Sequence, residues 1–284
     1  MADAVLHAAA RPTALPAGVQ VARGGRLRVK QAGQDRPITV FLLATLAVTV
    51  LAFTQLEVDW GLLASRAANL GTVFFELAQF DLGRLGPTLE AFGQTIAITV
   101  LATVYSLLAA LVFSALGSRN IVRNALVNRA VTTFFTFIRT MPTPVMVLMA
   151  MTGFGLGPVP GIIGLSMSSM AFLVRAFIEG FENVPAETIA SLQVTGASRL
   201  QVFLSAVLPS ALSHIVAWTS LRFEINFRES AILGMVGAGG IGGIIHSSLN
   251  GFAFGAAGFA IFLVFVYAYL VELGFTKVKN TYIR

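Results

Sequence analysis

Two long apolar runs constrain this chain more than any other feature. Residues 38–56, ITVFLLATLAVTVLAFTQL, contain no charged side chain, and neither do residues 91–116. A helix of roughly 20 such residues crosses the ~30 Å hydrocarbon core of a bilayer. Runs like these in series make lipid the solvent. Composition agrees: only 11% of the 284 residues are charged, against about 25% in soluble domains. The expected fold class is therefore all-α, a polytopic membrane protein with about six transmembrane helices. A cleaved signal peptide does not fit the first run, which is too long, starts too late and is followed by no small-x-small site.

The remaining spans are expected at about 130–152 with Arg139 inside, 162–178 with Arg175 near its end, 209–236 with several charges, and 255–275. GFGLGPVPG (153–161) reads as a tight turn, and VGAGGIGGII as a glycine-rich link into the last span. Residues 57–87 read as an extracytoplasmic segment with short interfacial helices around Trp60 and around Phe74 and Phe75. Residues 88–280 make the core transmembrane domain. Residues 1–37 differ from the rest: six basic side chains against Asp3 and Asp35, with Pro and Gly scattered through, read as a mobile basic tail on the cytoplasmic side.

Charge placement tests this layout. With six spans, both termini lie on one side. The tail, 117–129, 179–208 and 276–284 then hold thirteen Lys or Arg, while 57–87, 153–161 and 237–254 hold only Arg66 and Arg84. By the positive-inside rule both termini are cytoplasmic. The same asymmetry accounts for the net charge of +6 with membrane lipid as the partner and no nucleic acid. The absence of cysteine excludes disulfides and thiolate metal sites.

The connection 179–208 is too long for a simple turn between spans. Pro185 can open a helix, with Glu187 near the positive end of its dipole. Gly196 then permits a sharp bend, and a second amphipathic helix begins near Ser198. Two short helices around a glycine form a compact knob, either lying on lipid or docking a cytoplasmic partner.

At this knob the residues carry a resemblance. GASRLQVFLSAVLP (196–209) resembles the signature loop of ABC importer permeases: Glu-Ala-Ala, three residues, Gly, nine residues, then a hydrophobic residue, any residue, Leu-Pro. Gly196, Leu208 and Pro209 fall at the family spacing. The signature glutamate is replaced by Ala190, followed by Ser191 and Leu192, and the hydrophobic position is Ala206. RFEINFRESAILGMVGAGGIGGII (222–245), RTMP (139–142) and GLGPVPGIIG (155–164) are similar to phosphonate-type permeases. The resemblance spans about 88–280. It implies a type I ABC importer permease fold. It further implies that loop 186–208, with Ala190, Gly196, Ala197, Ser198, Leu208 and Pro209, couples to an ATPase.

Several charges sit at span depth, where each is costly. Glu224 and Arg228 are spaced i, i+4, the favourable order. Arg222, Asn226 and Glu229 share another face at about 100° per residue. Two readings stand side by side: mutual neutralisation that locks helix packing, or a lining for an anionic substrate with Arg139, Arg222 and Arg228 as cationic contacts. Arg175 reads as an inner-end anchor. Gly237, Gly239 and Gly242 match G-x-G-x-x-G, but they follow a membrane helix and not a strand, so a bend for close helix approach fits better than a dinucleotide site. His214 and His246 are isolated and build no metal site. No P-loop motif occurs, so the chain is expected to be a transport subunit and not an enzyme.

These features and the resemblance together imply a permease subunit of an ATP-driven importer for phosphonate or a related oxyanion such as phosphite or phosphate, in a bacterial plasma membrane. The implied partners are a second copy of the chain, two cytoplasmic ABC ATPase subunits that bind ATP and Mg, and an extracytoplasmic substrate-binding protein. The chain itself carries no cofactor. The alternatives are an ABC permease for amino acids or methionine, and an ion-coupled secondary transporter using Glu224 and Glu229.

Overall fold

The structure, a computed structural model, describes residues 19–21, 27–29, 35–56 and 58–282. It divides into two units, one ending at Ala68 and the other beginning at Asn69.

In the first unit, strands β1 (Val19–Val21) and β2 (Leu27–Val29) pair antiparallel, Val19 opposite Val29. They fall within the expected 1–37 tail, most of which lies outside the described residues. Helix α1 (Asp35–Gln55) is the first apolar run. It starts a little earlier than position 38 because Pro37 sits in the first turn, where a missing N–H costs no intrahelical bond. Helix α2 (Trp60–Ala68) is capped by Asp59, whose Oδ1 accepts from the Leu62 amide at 2.9 Å.

The second unit opens with α3 (Leu70–Ala78), which packs on the last helix of the chain. Helix α4 (Leu85–Gly117) follows. Its buried stripe is small and hydroxylated: Thr88, Thr95, Thr99, Ala102, Thr103, Ser106, Ala110, Ser114. These recur every three or four residues, so they lie on one face. Small side chains let helices approach closely in lipid. The hydroxyls stay satisfied by donating back along the helix, Thr99 to Thr95 O and Thr103 to Thr99 O, both at 2.8 Å. This face packs on α7 (Pro158–Glu182), the most buried of the long helices.

Between α4 and α7 the expected single span at 130–152 is corrected to two helices, α5 (Ala125–Thr140) and α6 (Thr143–Phe154), bent by 91°. Pro142 causes the break. It pushes Met141 into extended backbone (φ −81°, ψ 129°) and donates no amide. Pro144 sits in the first turn of α6, where it is tolerated.

The two ends of the bent pair nevertheless lie at opposite ends of α7. Loop 118–120 is tied to the C-terminal end of α7, because the Arg119 amide donates to Glu182 Oε1 (3.0 Å) and Asn120 Nδ2 to Phe181 O (2.9 Å). The pair's other end runs straight into the N-terminus of α7. A 25-residue helix is roughly 37 Å long, so α5 and α6 together traverse the same thickness.

Beyond α7 come α8 (Ala186–Val194) and α9 (Arg199–Val202), then a π-helical turn Phe203–Val207, α10 (Leu208–Ser210) and α11 (Leu212–Leu233). Pro209 explains the widened turn, since its ring would otherwise press on the carbonyl four residues back. The segment 199–238 is bent by 63°. Its start lies by the C-terminal end of α7, where the Phe203 ring meets Phe181 edge-on at 5.4 Å. Its end lies by the N-terminal end of α7, where Gly237 O accepts the Gly157 amide (3.0 Å). It too runs from one end of α7 to the other.

The glycine-rich link contains a helix that its composition hid, α12 (Ile241–Asn250). A Cβ on Gly242 would collide with Ala231 O and crowd the backbone of Gly234. Only glycine lets this segment fold back that tightly on α11. The Gly240 and Ile241 amides, left without intrahelical partners at the start of α12, donate to Gln94 Oε1 (2.7 Å) and Thr95 Oγ1 (2.8 Å) of α4. The G-x-G-x-x-G run is thus a bend for close approach. Helix α13 (Phe254–Tyr282) returns antiparallel to α11, with Phe275 on Phe223 and Tyr267 on Phe227. Among the described residues four helices, α1, α4, α7 and α13, are long and apolar enough to span a membrane, and counting each bent pair as one span gives six.

Candidate functional site

The knob is built as the sequence predicts. Pro185 precedes α8, Glu187 lies in its first turn, and α8 ends at Val194. Gly196 turns the chain with φ +81°, left-handed backbone that side chains with a Cβ disfavour. Ser198 caps α9 in a capping box: its Oγ accepts from the Gln201 amide (3.4 Å), and Gln201 Oε1 accepts from the Ser198 amide (2.8 Å). That Ser-x-x-Gln pattern is legible in the sequence and marks the second helix start. Ala190, Gly196 and Ser198 are exposed, Ala197 is half-buried, Leu208 packs on the core and Pro209 is exposed. The surface of the knob is apolar at Val194, Leu200 and Leu204.

The α11 charges pair along two faces, as the 100° spacing implies. Arg228 is ion-paired with Glu224 one turn away, the arginine side chain 54% exposed. Arg222 is buried, and its guanidinium reaches Glu229 Oε2 at 3.1 Å, Ser168 Oγ at 3.1 Å and Ser169 Oγ at 2.9 Å. Ser169 Oγ donates to Asn226 Oδ1 (2.7 Å), and Asn226 Nδ2 donates to Thr103 Oγ1 (2.9 Å). A buried polar thread therefore ties α11, α7 and α4 together. Arg222 and Asn226 have their hydrogen-bonding capacity largely consumed by the protein.

Arg139 stands elsewhere. It ends α5 on the exposed side, with its guanidinium 5.5 Å from the centre of the Phe172 ring. Arg222 approaches the same ring at 5.8 Å. Arg139 lines a cavity of about 1140 Å³ between α5, α7 and the α4–α5 loop, with Phe172 and Trp218 in its wall. Arg119, Arg123, Arg129 and Arg175 line the same cavity, with Glu179 and Glu182. Arg175, which reads as an anchor in the sequence, is thus a cavity residue. Its i, i+4 relation to Glu179 and its place on the exposed face of α7 carry no signal of that until α5 is placed opposite. Among the described residues no group of three or more His, Cys, Asp or Glu could hold a metal.

Residues 106–276 match the family model described as binding-protein-dependent transport system inner membrane component. The phosphate-import permease protein PhnE of Mycolicibacterium smegmatis is 27% identical over 201 residues, covering 70% of this chain and 38% of that protein. The phosphite transport system permease protein PtxC of Stutzerimonas stutzeri is 32% identical over 164 residues, covering 58% of each chain. This chain thus spans between about two-fifths and three-fifths of the length of these relatives. Among solved structures, an inward-facing form of the MetNI methionine ABC transporter aligns with a TM-score of 0.65 at 20% identity, covering 71% of this chain and 99% of that one. That similarity concerns the fold.

Proposed function

The chain belongs to the family of binding-protein-dependent transport system inner membrane components, and on that premise we propose that it is the permease of an ATP-driven importer for phosphonate or a related phosphorus oxyanion. Two copies form the translocation unit. A cytoplasmic ATPase that binds ATP and Mg docks on each knob at 186–208, and an extracytoplasmic binding protein delivers cargo to the opposite ends of the spans. Both termini face the cytoplasm. Closure of the ATPases pushes the knobs and tilts the bundle between inward- and outward-open forms.

The observation that carries the importer reading is the knob. Gly196 and the Ser198 capping box fix two short helices at the same end of α7 as the basic α4–α5 loop, which the positive-inside rule assigns to the cytoplasm. Ala190 replaces the glutamate of the family signature, so apolar contact through Val194, Leu200 and Leu204 takes a larger share of the docking. The cargo class is supported by similarity to a phosphate-import permease and a phosphite permease and by a cavity rich in guanidinium groups, which suit phosphorus oxyanions bidentately.

The test is uptake into proteoliposomes holding the permease, its ATPase and its binding protein. Labelled methylphosphonate, phosphite or phosphate accumulates only with internal ATP. Accumulation driven by an ion gradient without ATP would replace this reading with a secondary transporter working through Glu224 and Glu229. ATP-driven uptake of methionine in place of oxyanions would keep the machine and change the cargo.

A further inference from the structure

The seven arginines and four glutamates of α5, α7, α11 and the α4–α5 loop sort into two populations. On α11, Arg222 and Arg228 each hold a carboxylate. On the cavity, Arg119, Arg123, Arg129, Arg139 and Arg175 form no ion pair with a carboxylate among the described residues. Of the two cavity carboxylates, Glu182 is already engaged by the Arg119 backbone amide. The cavity therefore presents five unpaired guanidinium groups to two carboxylates.

Their heights form a series. Arg119 and Arg123 lie in the loop at the mouth. Arg129 is one turn into α5, roughly 6 Å up, and Arg175 is seven residues before the end of α7, roughly 10 Å up. Arg139 lies deeper, level with Phe172, which is roughly 15 Å from the end of α7. An unpaired arginine at span depth is costly unless it faces water or an anion. These heights differ by steps of a few ångströms along the span, so an oxyanion moving along the cavity meets successive guanidinium groups. Several weak sites in sequence suit passage better than one tight site.

We propose that these arginines form a ladder of binding sites for phosphorus oxyanions, with Arg175 and Arg139 as the specificity-determining rungs. The paired charges of α11 then hold the bundle together and do not contact cargo. This assignment rests on the oxyanion-importer reading and names the residues through which that cargo passes. Phe172 and Trp218 wall the upper rungs and provide an apolar surface suited to the alkyl group of a phosphonate.

The test separates the ladder from the importer reading because it needs no ATPase. The full chain is placed in phosphatidylcholine nanodiscs and titrated by calorimetry with inorganic phosphate or methylphosphonate, against chloride at matched ionic strength. Saturable binding is expected, with Kd rising roughly tenfold in Arg175→Gln and in Arg139→Gln, and Arg175→Lys retaining most of the affinity. An unchanged melting midpoint in at least one Gln variant ties the loss to the site and not to misfolding. No saturable binding in the wild type, or wild-type affinity in both Gln variants, overturns the ladder. A second arm uses nanodiscs containing phosphatidylglycerol. Lipid retention that depends on Arg175, without any binding of free phosphate, assigns the cavity to a lipid headgroup and overturns its role as a conduit. If wild-type uptake of oxyanions fails while binding persists, the importer reading fails and the site stands.

Discussion

At the scale of single residues, what matters for an intramembrane charge is whether the protein has already spent its hydrogen bonds. Arg222 is buried among Ser168, Ser169 and Glu229, whereas Arg228 is more than half exposed and holds only Glu224. Arg222→Met removes one partner from a buried network and leaves Glu229 uncompensated, which should destabilise the protein by about 3 kcal/mol. Arg228→Met should cost less than about 1 kcal/mol. Thermal unfolding of the two variants in one detergent measures the difference, and equal midpoints would show that the buried thread contributes nothing. The grouping of these five side chains into two faces is readable from helical periodicity alone. Their partners are not: Ser169 and Thr103 lie 57 and 123 positions from Asn226, and nothing local announces a hydroxyl that faces another helix. Arg175 shows the same limit, since its chemistry depends on α5 lying opposite.

At the scale of elements, turn chemistry was legible where one residue carries it. Gly196 needs left-handed backbone, yet a Cβ placed there meets nothing within 4 Å. Any cost of substitution is therefore conformational and not steric, of order 1–2 kcal/mol for a β-branched residue. Gly196→Val should shift the knob and lower uptake per ATP hydrolysed. Gly196→Asn, which tolerates this backbone better, should keep most of the coupling. Parallel assays of ATPase rate and uptake check this, and identical coupling ratios in wild type and Gly196→Val would remove the docking role. The break between α5 and α6 was equally available from Pro142 and Pro144, but an apolar stretch of span length masks a bend inside it. Helix α12 was hidden for the opposite reason. Its glycines argue against helix on propensity, and only their close approach to α11 explains why they are required.

At the scale of the whole molecule, the number of crossings decides on which side of the membrane the knob lies, and the sequence lends itself to an unusually clean measurement. The chain contains no cysteine, so single introduced thiols report without background. Leu156 is 80% exposed in the turn between α6 and α7, and Asn120 and Gln193 lie beyond the opposite end of α7. If α5 and α6 form one broken crossing, Asn120→Cys and Leu156→Cys react with a membrane-impermeant maleimide from opposite sides. If they form a re-entrant loop, both react from one side, and the hydrogen bonds of Arg119 and Asn120 to the end of α7 cannot exist in the membrane. Gln193→Cys must then share its side with Asn120→Cys, because the knob and the mouth of the arginine-lined cavity are built on the same end of α7. That shared end joins the two halves of the functional argument. On the proposed docking of an ATPase at the knob, a push there acts on the helix that carries Arg175, beside the lowest rungs of the proposed anion path.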